Sequence, residues 1–201
     1  DVAPMTPSSV PAPTPAPVPA PPGGAAGPVL EVDDLAVEFR SRRRTVRAVN
    51  GISYTVRAGE TLAIVGESGS GKSVSAQAVM GILDIPPARI THGEIRFHGE
   101  DLLGMSRRDQ RAVRGPGIAM VFQDALSALN PVFSVGHQIG ELFRAHRGAS
   151  RQEAKARAIE LMERVGIPAA RERVGDFPHQ FSGGMRQRVM IAMAIALDPD
   201  I

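Results

Sequence analysis

The stretch GESGSGKS at residues 66–73 decides the fold, together with the apolar run TLAIV at residues 61–65 that precedes it. Its spacing is G-x-x-x-x-G-K-[ST], which is typical of a buried strand that leads through a glycine-rich loop into a helix. Glycines allow the loop to curl until successive backbone N–H groups point at phosphate oxygens, and the positive end of the helix dipole adds to the attraction. The sequence therefore predicts a nucleotide-binding site at this loop.

Two side chains of this loop have distinct expected roles. The Lys72 ammonium is expected to reach the β- and γ-phosphates, and the Ser73 hydroxyl to bind Mg²⁺. Lys72 and Lys155 are the only lysines among the 23 basic residues, which argues against Lys72 as surface decoration. A plain glycine-rich turn would match the pattern by chance in about one chain in a hundred of this length. The candidate nucleotide ligands are Gly66, Glu67, Ser68, Gly69, Ser70, Gly71, Lys72 and Ser73.

Composition bounds the remaining possibilities. The chain has 201 residues, 43% of them hydrophobic, which is enough for one core and a tail. Its net charge of +2 gives no argument for a nucleic-acid partner, and the absence of cysteine excludes disulfides and thiolate zinc sites. The longest apolar run near the C-terminus, VMIAMAIAL, has nine residues, whereas a membrane-spanning helix needs about 20.

The first 28 residues differ from the rest of the chain. They hold ten of the 17 prolines, with alanine and glycine between them. Alternating proline favours extended polyproline geometry, so a disordered, semi-rigid linker is expected at residues 1–28. The chain begins at Asp1 without a methionine and stops after LDPDI, and we expect it to be a piece of a longer protein.

Strand patterns fill the first half after the linker. LAVEF at 35–39 and ISYTV at 52–56 alternate in hydrophobicity, which predicts two half-buried antiparallel strands joined by the basic loop RSRRRTVR. TLAIVG at 61–66 and GIAMVFQ at 117–123 are continuous apolar runs, typical of strands buried on both faces. GEIRFHG predicts one more short strand, and a helix is expected over 71–83.

After Gln123 the pattern is helical. Ser150 and Glu153 have the spacing of a capping box, and Gly166 supplies a C-terminal stop. Ala158, Leu161, Met162 and Val165 share one face, while Glu153–Arg157 and Glu160–Arg164 are expected to pair on the others. We predict a helical insertion over residues 124–181 and a further helix over 182–197.

Three more features are candidates for the site, each with an ordinary alternative. Phe39 has the flat face that would stack on a purine, or it is simply a core residue. Gln123 ends a predicted parallel strand, where ligands gather, or it is a polar residue that leaves the strand. The turn FSGGMRQR at 181–188 opens a helix as phosphate-binding loops do, or Ser182 is only an N-cap followed by two glycines.

Taken together, GESGSGKS, VFQDALSALNP at 121–131 and PHQFSGGMRQRVMIA at 178–192 resemble the ATP-binding subunits of ABC transporters. The segments SALNP and GMRQRVMIA resemble most the dipeptide and oligopeptide importer group, with nickel and glutathione importers as close relatives. The resemblance covers residues 29–201.

This resemblance implies a fold class. It is an α/β P-loop NTPase (RecA-like) core with an antiparallel β layer and an inserted helical subdomain, truncated before the Walker B strand. The implied parts are a nucleotide-binding core at 29–123, a helical subdomain at 124–181, and a signature helix at 182–201 that returns to the core.

The resemblance also implies a mechanism and partners. Such ATPases form head-to-tail homo- or heterodimers, in which Ser182, Gly183 and Gly184 contact the γ-phosphate of an ATP held by the other subunit's loop. Lys72 and Gln123 are then catalytic, Ser73 and Gln123 hold Mg²⁺, and Phe39 stacks on the adenine. Transmembrane permease subunits and, indirectly, an extracytoplasmic solute-binding protein are the other implied partners, with the chain peripheral on the cytoplasmic face.

Departures from the family pattern limit what is expected. Met185 stands where the general signature has Gln, as is usual in the peptide group, and His179 is interpreted as structural. The Walker B Asp, the catalytic Glu and the switch His would follow Ile201, so this piece alone is expected to be inactive. The alternatives are a soluble ABC ATPase of DNA repair or chromosome structure, and an unrelated P-loop kinase or GTPase.

Overall fold

The structure, a computed structural model, describes residues 27–42, 44–124 and 128–201. The linker predicted at residues 1–28 lies outside these ranges except for its last two residues. Within the described ranges, an antiparallel sheet is followed by a set of helices.

The sheet has four strands in the order β2-β1-β3-β4, all antiparallel. The strands are β1 (Leu30–Arg40), β2 (Thr45–Val56), β3 (Ala88–Phe97) and β4 (Glu100–Asp101). The alternating patterns therefore predicted β1 and β2 correctly, and GEIRFHG lies largely in β3. The sheet cluster is the hydrophobic core on this sheet, with Val29, Leu30, Val32, Leu35, Val37, Val49, Ala78, Val79, Ile95, Phe97, Leu102 and Ile118 as its buried members.

Two helices accompany the sheet, α1 (Lys72–Val79) and α2 (Arg107–Val113). Helix α1 is shorter than the predicted range 71–83 because Gly81 adopts a left-handed backbone with φ of 61° and closes the turn. Its buried face places Ala78 and Val79 in the sheet cluster.

Four helices follow Gln123 in the part of the chain that the structure describes: α3 (Val135–Arg147), α4 (Arg151–Arg164), α5 (Ala170–Arg173) and α6 (Gly183–Ala194). A 3-10 turn at Pro178–Gln180 precedes α6. The predicted capping box of Ser150 and Glu153 is confirmed at the start of α4. The helical cluster has as its buried members Leu129, Val135, Ile139, Ala158, Leu161, Met162, Ile167, Ala170, Val174, Phe181, Val189, Ala192, Ala196 and Leu197.

The predicted ion pairs on α4 are wrong. The Glu153 carboxylate accepts a hydrogen bond from the Ser150 backbone N–H at 2.8 Å, so the cap uses this side chain. Arg157, its expected partner, instead pairs with Glu160 at 2.8 Å. Of the predicted apolar face, Val165 lies at the C-cap and is only partly buried.

The two strands predicted from continuous apolar runs are absent from the structure as described. Residues 61–66 are exposed, with Val65 at 91%, and Phe122 is 40% exposed at the end of the second run. A strand needs a hydrogen-bonded neighbour, and none of the described segments lies along 61–66.

Within the described residues, the apolar run at 117–123 has a hydrogen-bonded neighbouring segment at its start, residues 117–119. The Ala119 N–H donates to the Ile201 carbonyl at 2.8 Å, and the Ile201 N–H donates to the Gly117 carbonyl at 3.1 Å. This is the bonding pattern of parallel strands. Ile201 is also the residue of this C-terminal segment that packs against the sheet cluster.

Helix α6 packs in the helical cluster, where Val189 and Ala192 lie with residues of α3 and α4. The segment after α6 reaches the sheet cluster, because the Asp200 N–H donates to the Gly117 carbonyl at 3.0 Å and Ile201 packs against that cluster. The two clusters adjoin where Arg147 donates to the Leu197 carbonyl at 3.0 Å and the α-carbon of Gly115 faces Leu197. Among the described helices, none combines the length and hydropathy that a bilayer crossing requires.

Candidate nucleotide-binding site

The phosphate loop at residues 66–71 leads directly into α1 and lies against β2. Gly69 and Gly71 have φ angles of 82° and 91°, a left-handed backbone that side-chain-bearing residues rarely adopt. A β-carbon on Gly71 would overlap the carbonyl oxygen of Ala48 and lie 3.3 Å from Val49 Cγ2. Glycine is therefore required at this position both by conformation and by space.

Lys72 occupies the inside of the loop. Its Nζ donates to the carbonyl oxygens of Gly66 and Glu67 at 2.7 and 2.6 Å, and to Ser70 Oγ at 3.2 Å. These acceptors are neutral, so anionic phosphate oxygens would bind the ammonium more strongly. Helix α1 starts at Gly71 without a side-chain cap, which leaves its first backbone N–H groups for a ligand.

The residues predicted to hold Mg²⁺ have a suitable donor set for a phosphate-bound ion. Ser73 lies in the first turn of α1 with its side chain exposed, and Gln123 is exposed at the end of residues 117–123. No cluster of three or more His, Asp or Glu residues lies in the described ranges. One hydroxyl and one amide oxygen suit Mg²⁺, which keeps several waters and uses substrate phosphates as ligands.

Phe39 lies near the end of β1. It is two residues beyond Val37, which pairs with Val49, and Val49 Cγ2 lies 3.3 Å from the β-carbon position of Gly71 in the loop. The register of β1 and β2 shifts between Val37 and Glu38. The ring is partly buried against the sheet cluster, so core packing and an exposed face coexist.

The second glycine-rich turn, residues 182–184, has a different construction. Ser182 is the N-cap of α6, and its Oγ accepts the Met185 N–H at 3.3 Å. Ser182, Gly183 and Gly184 are exposed, and β-carbons on the two glycines would meet no atom within 4 Å. The ordinary N-cap role is therefore present, and the start of a 12-residue helix lies open beside it.

The two turns are not joined to one another. No hydrogen bond or ion pair within residues 27–42, 44–124 and 128–201 links residues 66–73 with 182–184 or either turn with Gln123. The phosphate loop lies on the sheet cluster and α6 on the helical cluster. The structure thus brings the loop residues together around Lys72, without a direct hydrogen bond to Gln123 or to the second turn.

Few features of the sequence indicate which side chains hold this second turn. Arg173 contacts residues seven to twelve positions further along the chain, a separation with no helical or strand periodicity. Gln138 could have been noticed, because it is polar on the buried face of α3 beside Val135 and Ile139. Its amide holds the backbone of Asn130 and Phe133, with bonds of 2.9 and 3.0 Å to their carbonyls. His179 stacks on Phe177 with ring centroids 5.9 Å apart, in line with a structural role.

The phosphate loop leads into α1, and its lysine side chain bonds to the loop's own carbonyls. The helical part of the chain carries a second exposed helix start at α6. These features define a P-loop nucleotide-binding cassette. Residues 49–201 match the sequence family described as ABC transporter. Because this match covers most of the chain, the chain belongs to the ABC transporter family.

Its relatives carry names from peptide transport. The chain is 51% identical over 173 residues to the oligopeptide transport ATP-binding protein OppD of Bacillus subtilis (strain 168), a match that covers 86% of this chain and 48% of that protein. It is 47% identical to the dipeptide transport ATP-binding protein DppD of Escherichia coli (strain K12), with coverage of 86% and 53%. The chain thus spans about half the length of these relatives.

Solved structures agree on the fold. The dimeric structure of MJ0796, a bacterial ABC transporter cassette, superposes with a TM-score of 0.74 at 24% identity, over 85% of this chain and 70% of that one. The same values hold for its dimeric post-hydrolysis state bound to ADP and Pi. The predicted class, a P-loop NTPase with an antiparallel β layer and a helical part, is confirmed.

Proposed function

We propose that this chain is the nucleotide-binding part of an ATP-hydrolysing subunit that drives an ABC importer of peptides or related small solutes. The observation that carries the proposal is the pair of unconnected helix starts. One encloses Lys72, and the other leaves Ser182, Gly183 and Gly184 open. The names of the relatives, oligopeptide and dipeptide transport ATP-binding proteins, support the solute class.

ATP phosphates bind in the loop at residues 66–73, where Lys72 exchanges its neutral acceptors for β- and γ-phosphate oxygens. Ser73 and Gln123 hold Mg²⁺, which neutralises charge on those phosphates. Phe39 stacks on the adenine with the part of its ring that the sheet cluster leaves exposed.

The open turn of α6 binds the γ-phosphate of an ATP on a second subunit, either an identical or a related one. Because α6 and the phosphate loop lie on different clusters of one chain, an ATP held by Lys72 is capped from outside that chain. ATP then joins two subunits, and loss of the γ-phosphate on hydrolysis weakens the joint. The difference in affinity between the two nucleotide states supplies the conformational switch.

Hydrolysis also needs a group that orients the attacking water, which we place on a continuation of the chain after Ile201. The parallel hydrogen bonds of Ile201 with Gly117 and Ala119 support this placement. A strand that continues from Ile201 would run beside Val121 and Phe122 and cover their exposed side chains. The whole subunit is then a Mg²⁺-dependent ATPase.

A groove between α3 and α4 is the proposed contact with the permease. His137, Arg144, Arg151 and Lys155 line it, and none of the four forms an ion pair with any residue that the structure describes. Phe133, 45% exposed, stacks on His137 at the end of the groove with a centroid distance of 4.9 Å. Unpaired cations beside an exposed aromatic ring suit a cytoplasmic permease segment with acidic and apolar side chains.

The subunit interface is tested by nucleotide-dependent dimerisation of the full-length protein. With a non-hydrolysable ATP analogue, light scattering should show a dimer for the wild type and a monomer for Ser182→Arg, while monomer nucleotide affinity is unchanged. Ser106→Arg is the matched control, because Ser106 is the exposed N-cap of α2 and lies outside the proposed site. Loss of nucleotide affinity in monomeric Ser182→Arg would place the turn at its own chain's nucleotide and refute the proposal.

The alternative function is that of an ABC-class ATPase without a transport role. Substitutions in the groove between α3 and α4 distinguish the two functions. Arg144→Glu together with Lys155→Glu should abolish ATP-driven peptide uptake by the reconstituted complex and leave the ATPase rate of the free subunit intact. Arg157→Glu on α4 is the control, since among the described residues Arg157 forms an ion pair with Glu160 and does not line the groove. Uptake that survives the double reversal would remove the groove from the transport mechanism.

A further inference from the structure

We propose that Arg173 is a positioning residue that fixes the signature turn, residues 182–184, in the conformation that receives the second subunit's nucleotide. The inference rests on the proposed function of that turn. The inference names a residue, Arg173, that sets the geometry of the turn and lies outside the motif FSGGMRQR.

The Arg173 guanidinium contacts the chain on both sides of the turn. Its Nη2 donates to the Gln180 carbonyl at 2.9 Å, and its carbon Cζ lies 4.5 Å from the centroid of the Phe181 ring. Beyond the turn, Nη1 donates to the Met185 Sδ at 3.5 Å. Gln180 and Phe181 immediately precede Ser182, and the Met185 N–H is the donor that the Ser182 hydroxyl accepts.

The Arg173 guanidinium therefore holds the Gln180 backbone and the Phe181 ring, which precede Ser182. It also contacts Met185, whose N–H donates to the Ser182 hydroxyl. Gly183 and Gly184 contribute no such restraint, since a β-carbon on either would meet no atom within 4 Å from outside the helix. Glycines without neighbours have wide backbone freedom, and a turn built from them needs restraint from outside. Arg173 supplies it with charge-assisted hydrogen bonds, which are stronger than neutral ones.

Arg173 is itself held in place. Its Nε donates to the Asp176 carboxylate at 3.1 Å, with about a quarter of each side chain exposed. The carbonyls of Val174, which follows Arg173, and of Asp176 accept backbone N–H groups from the start of α3. The Gly136 N–H donates to Val174 at 2.9 Å and the Val135 N–H donates to Asp176 at 2.8 Å. The loop that carries Asp176, the partner of the guanidinium, is thus bonded to the start of α3.

This anchoring connects the turn to the segment after Gln123. Gln138 of α3 holds Asn130 and Phe133 in that segment, and the first N–H groups of α3 hold the Arg173 loop. A displacement of α3 would move Val174 and Asp176, then Arg173, and with it the approach to Ser182. The position of α3, beside the proposed permease groove, is in this way transmitted to the turn that closes the dimer.

The test uses the full-length protein and the variant Arg173→Met, which keeps an apolar chain over the Phe181 ring and removes every N–H. Two quantities are measured: the affinity of the monomer for a fluorescent ATP analogue, and the dimerisation constant with AMP-PNP. We expect the dimer affinity to fall by about tenfold or more and the monomer nucleotide affinity to stay within about twofold. Arg171→Met is the matched control, since Arg171 lies on the same short helix with a side chain 80% exposed, and both quantities should keep their wild-type values.

Arg173→Lys keeps the charge without the planar fork and should recover only part of the dimer affinity. The proposal is overturned if Arg173→Met dimerises like Arg171→Met, or if its nucleotide affinity falls as far as its dimer affinity, which would indicate general damage. Should Arg173→Met fail to unfold cooperatively, Arg173→Lys decides, and wild-type dimerisation by that variant rejects the role. Ser182→Arg separates the two levels of inference: if it alone blocks dimerisation, the proposed function stands and the role of Arg173 is rejected.

Discussion

The two glycine-rich turns of this chain both precede a helix in the sequence, but their structures differ. The phosphate loop curls through two left-handed glycines, lies against the Ala48 carbonyl and encloses its own lysine. The signature turn has no left-handed glycine, no neighbour near its two glycines and no lysine. One can surround a phosphate by itself, whereas the other can only present a face to one.

The difference extends to how each turn is held. Backbone contacts to β2 and bonds from Lys72 shape the phosphate loop, so its conformation depends on nearby residues. The signature turn depends on Arg173, which reaches it from the end of α5, and the loop that follows Arg173 is bonded to α3. A motif read from local sequence describes the first turn almost completely and the second only in part.

The largest expected effect is at the residue that fills the phosphate loop. Lys72→Ala removes the ammonium that would otherwise pair with phosphate charge, and we expect a loss of about 2–5 kcal/mol of nucleotide binding free energy. Titration of the full-length protein with ATP would measure it, and ATP-dependent dimerisation should disappear with it. Lys155→Ala, in the groove between α3 and α4 and outside the phosphate loop, is the control for loss of a lysine charge. Unchanged nucleotide affinity in Lys72→Ala would remove this loop from the site.

A matched pair of glycine substitutions sharpens the comparison further. In Gly71→Ala the new methyl group meets the Ala48 carbonyl and the backbone stays left-handed, which should cost about 2–3 kcal/mol of stability or displace the loop. Gly183→Ala adds a methyl group to open space at the start of α6, and the thermal stability of the monomer should remain unchanged. Calorimetry of both variants tests the contrast, which fails if the two have equal melting temperatures.

A similar steric effect is expected where α3 meets the Arg173 loop. A β-carbon on Gly136 would overlap Cγ2 and the carbonyl oxygen of Val174, so Gly136→Ala should destabilise the fold by about 1–3 kcal/mol and shift that loop. Denaturant unfolding measures the stability. Gly175→Ala is the control, since a β-carbon on Gly175 would meet no atom within 4 Å. If Gly136→Ala matched this control, α3 would not be seated on Val174 as described.

How far the sequence predicted the structure depends on whether a feature is local. Strands β1 and β2, the Ser150–Glu153 cap and the Gly166 stop follow from short patterns within a few residues, and they were predicted correctly. The strands at 61–66 and 117–123 were not found, since a strand exists only with its neighbour and hydrophobicity alone does not supply one. The Arg157–Glu160 pair replaced the predicted pairs because the cap competes for Glu153.

The candidate site divides along the same line. The loop residues were predicted by spacing, and the structure brings them together around Lys72. The position of α6 on the helical cluster, and with it the separation of the two turns, depends on packing among α3, α4 and α6. Arg173 depends on contacts across seven to twelve residues of irregular chain, for which the sequence has no periodic signal.

The smallest expected effect lies at the exposed start of α4, away from both turns, and gives a baseline for the other predictions. The side-chain and backbone hydrogen bonds from Ser150 hold the pKa of Glu153 below its ordinary value. A carboxyl group whose pKa is lower in the folded than in the unfolded protein stabilises the fold above the unfolded pKa, about 4.3, and this stabilisation is lost as the pH falls through the folded pKa. Glu153→Gln can still cap Ser150 but does not titrate.

The melting temperatures of wild type and Glu153→Gln should therefore differ slightly at pH 7 and converge as the pH is lowered through the acid range. The same comparison in a Ser150→Ala background is the control, because without the Ser150 hydroxyl the pH dependence of the difference should shrink. A gap that is constant with pH would mean that the Glu153 charge does not contribute to the cap. In that case the start of α4 is stabilised by hydrogen-bond geometry alone, as the neutral Ser182 cap of α6 is.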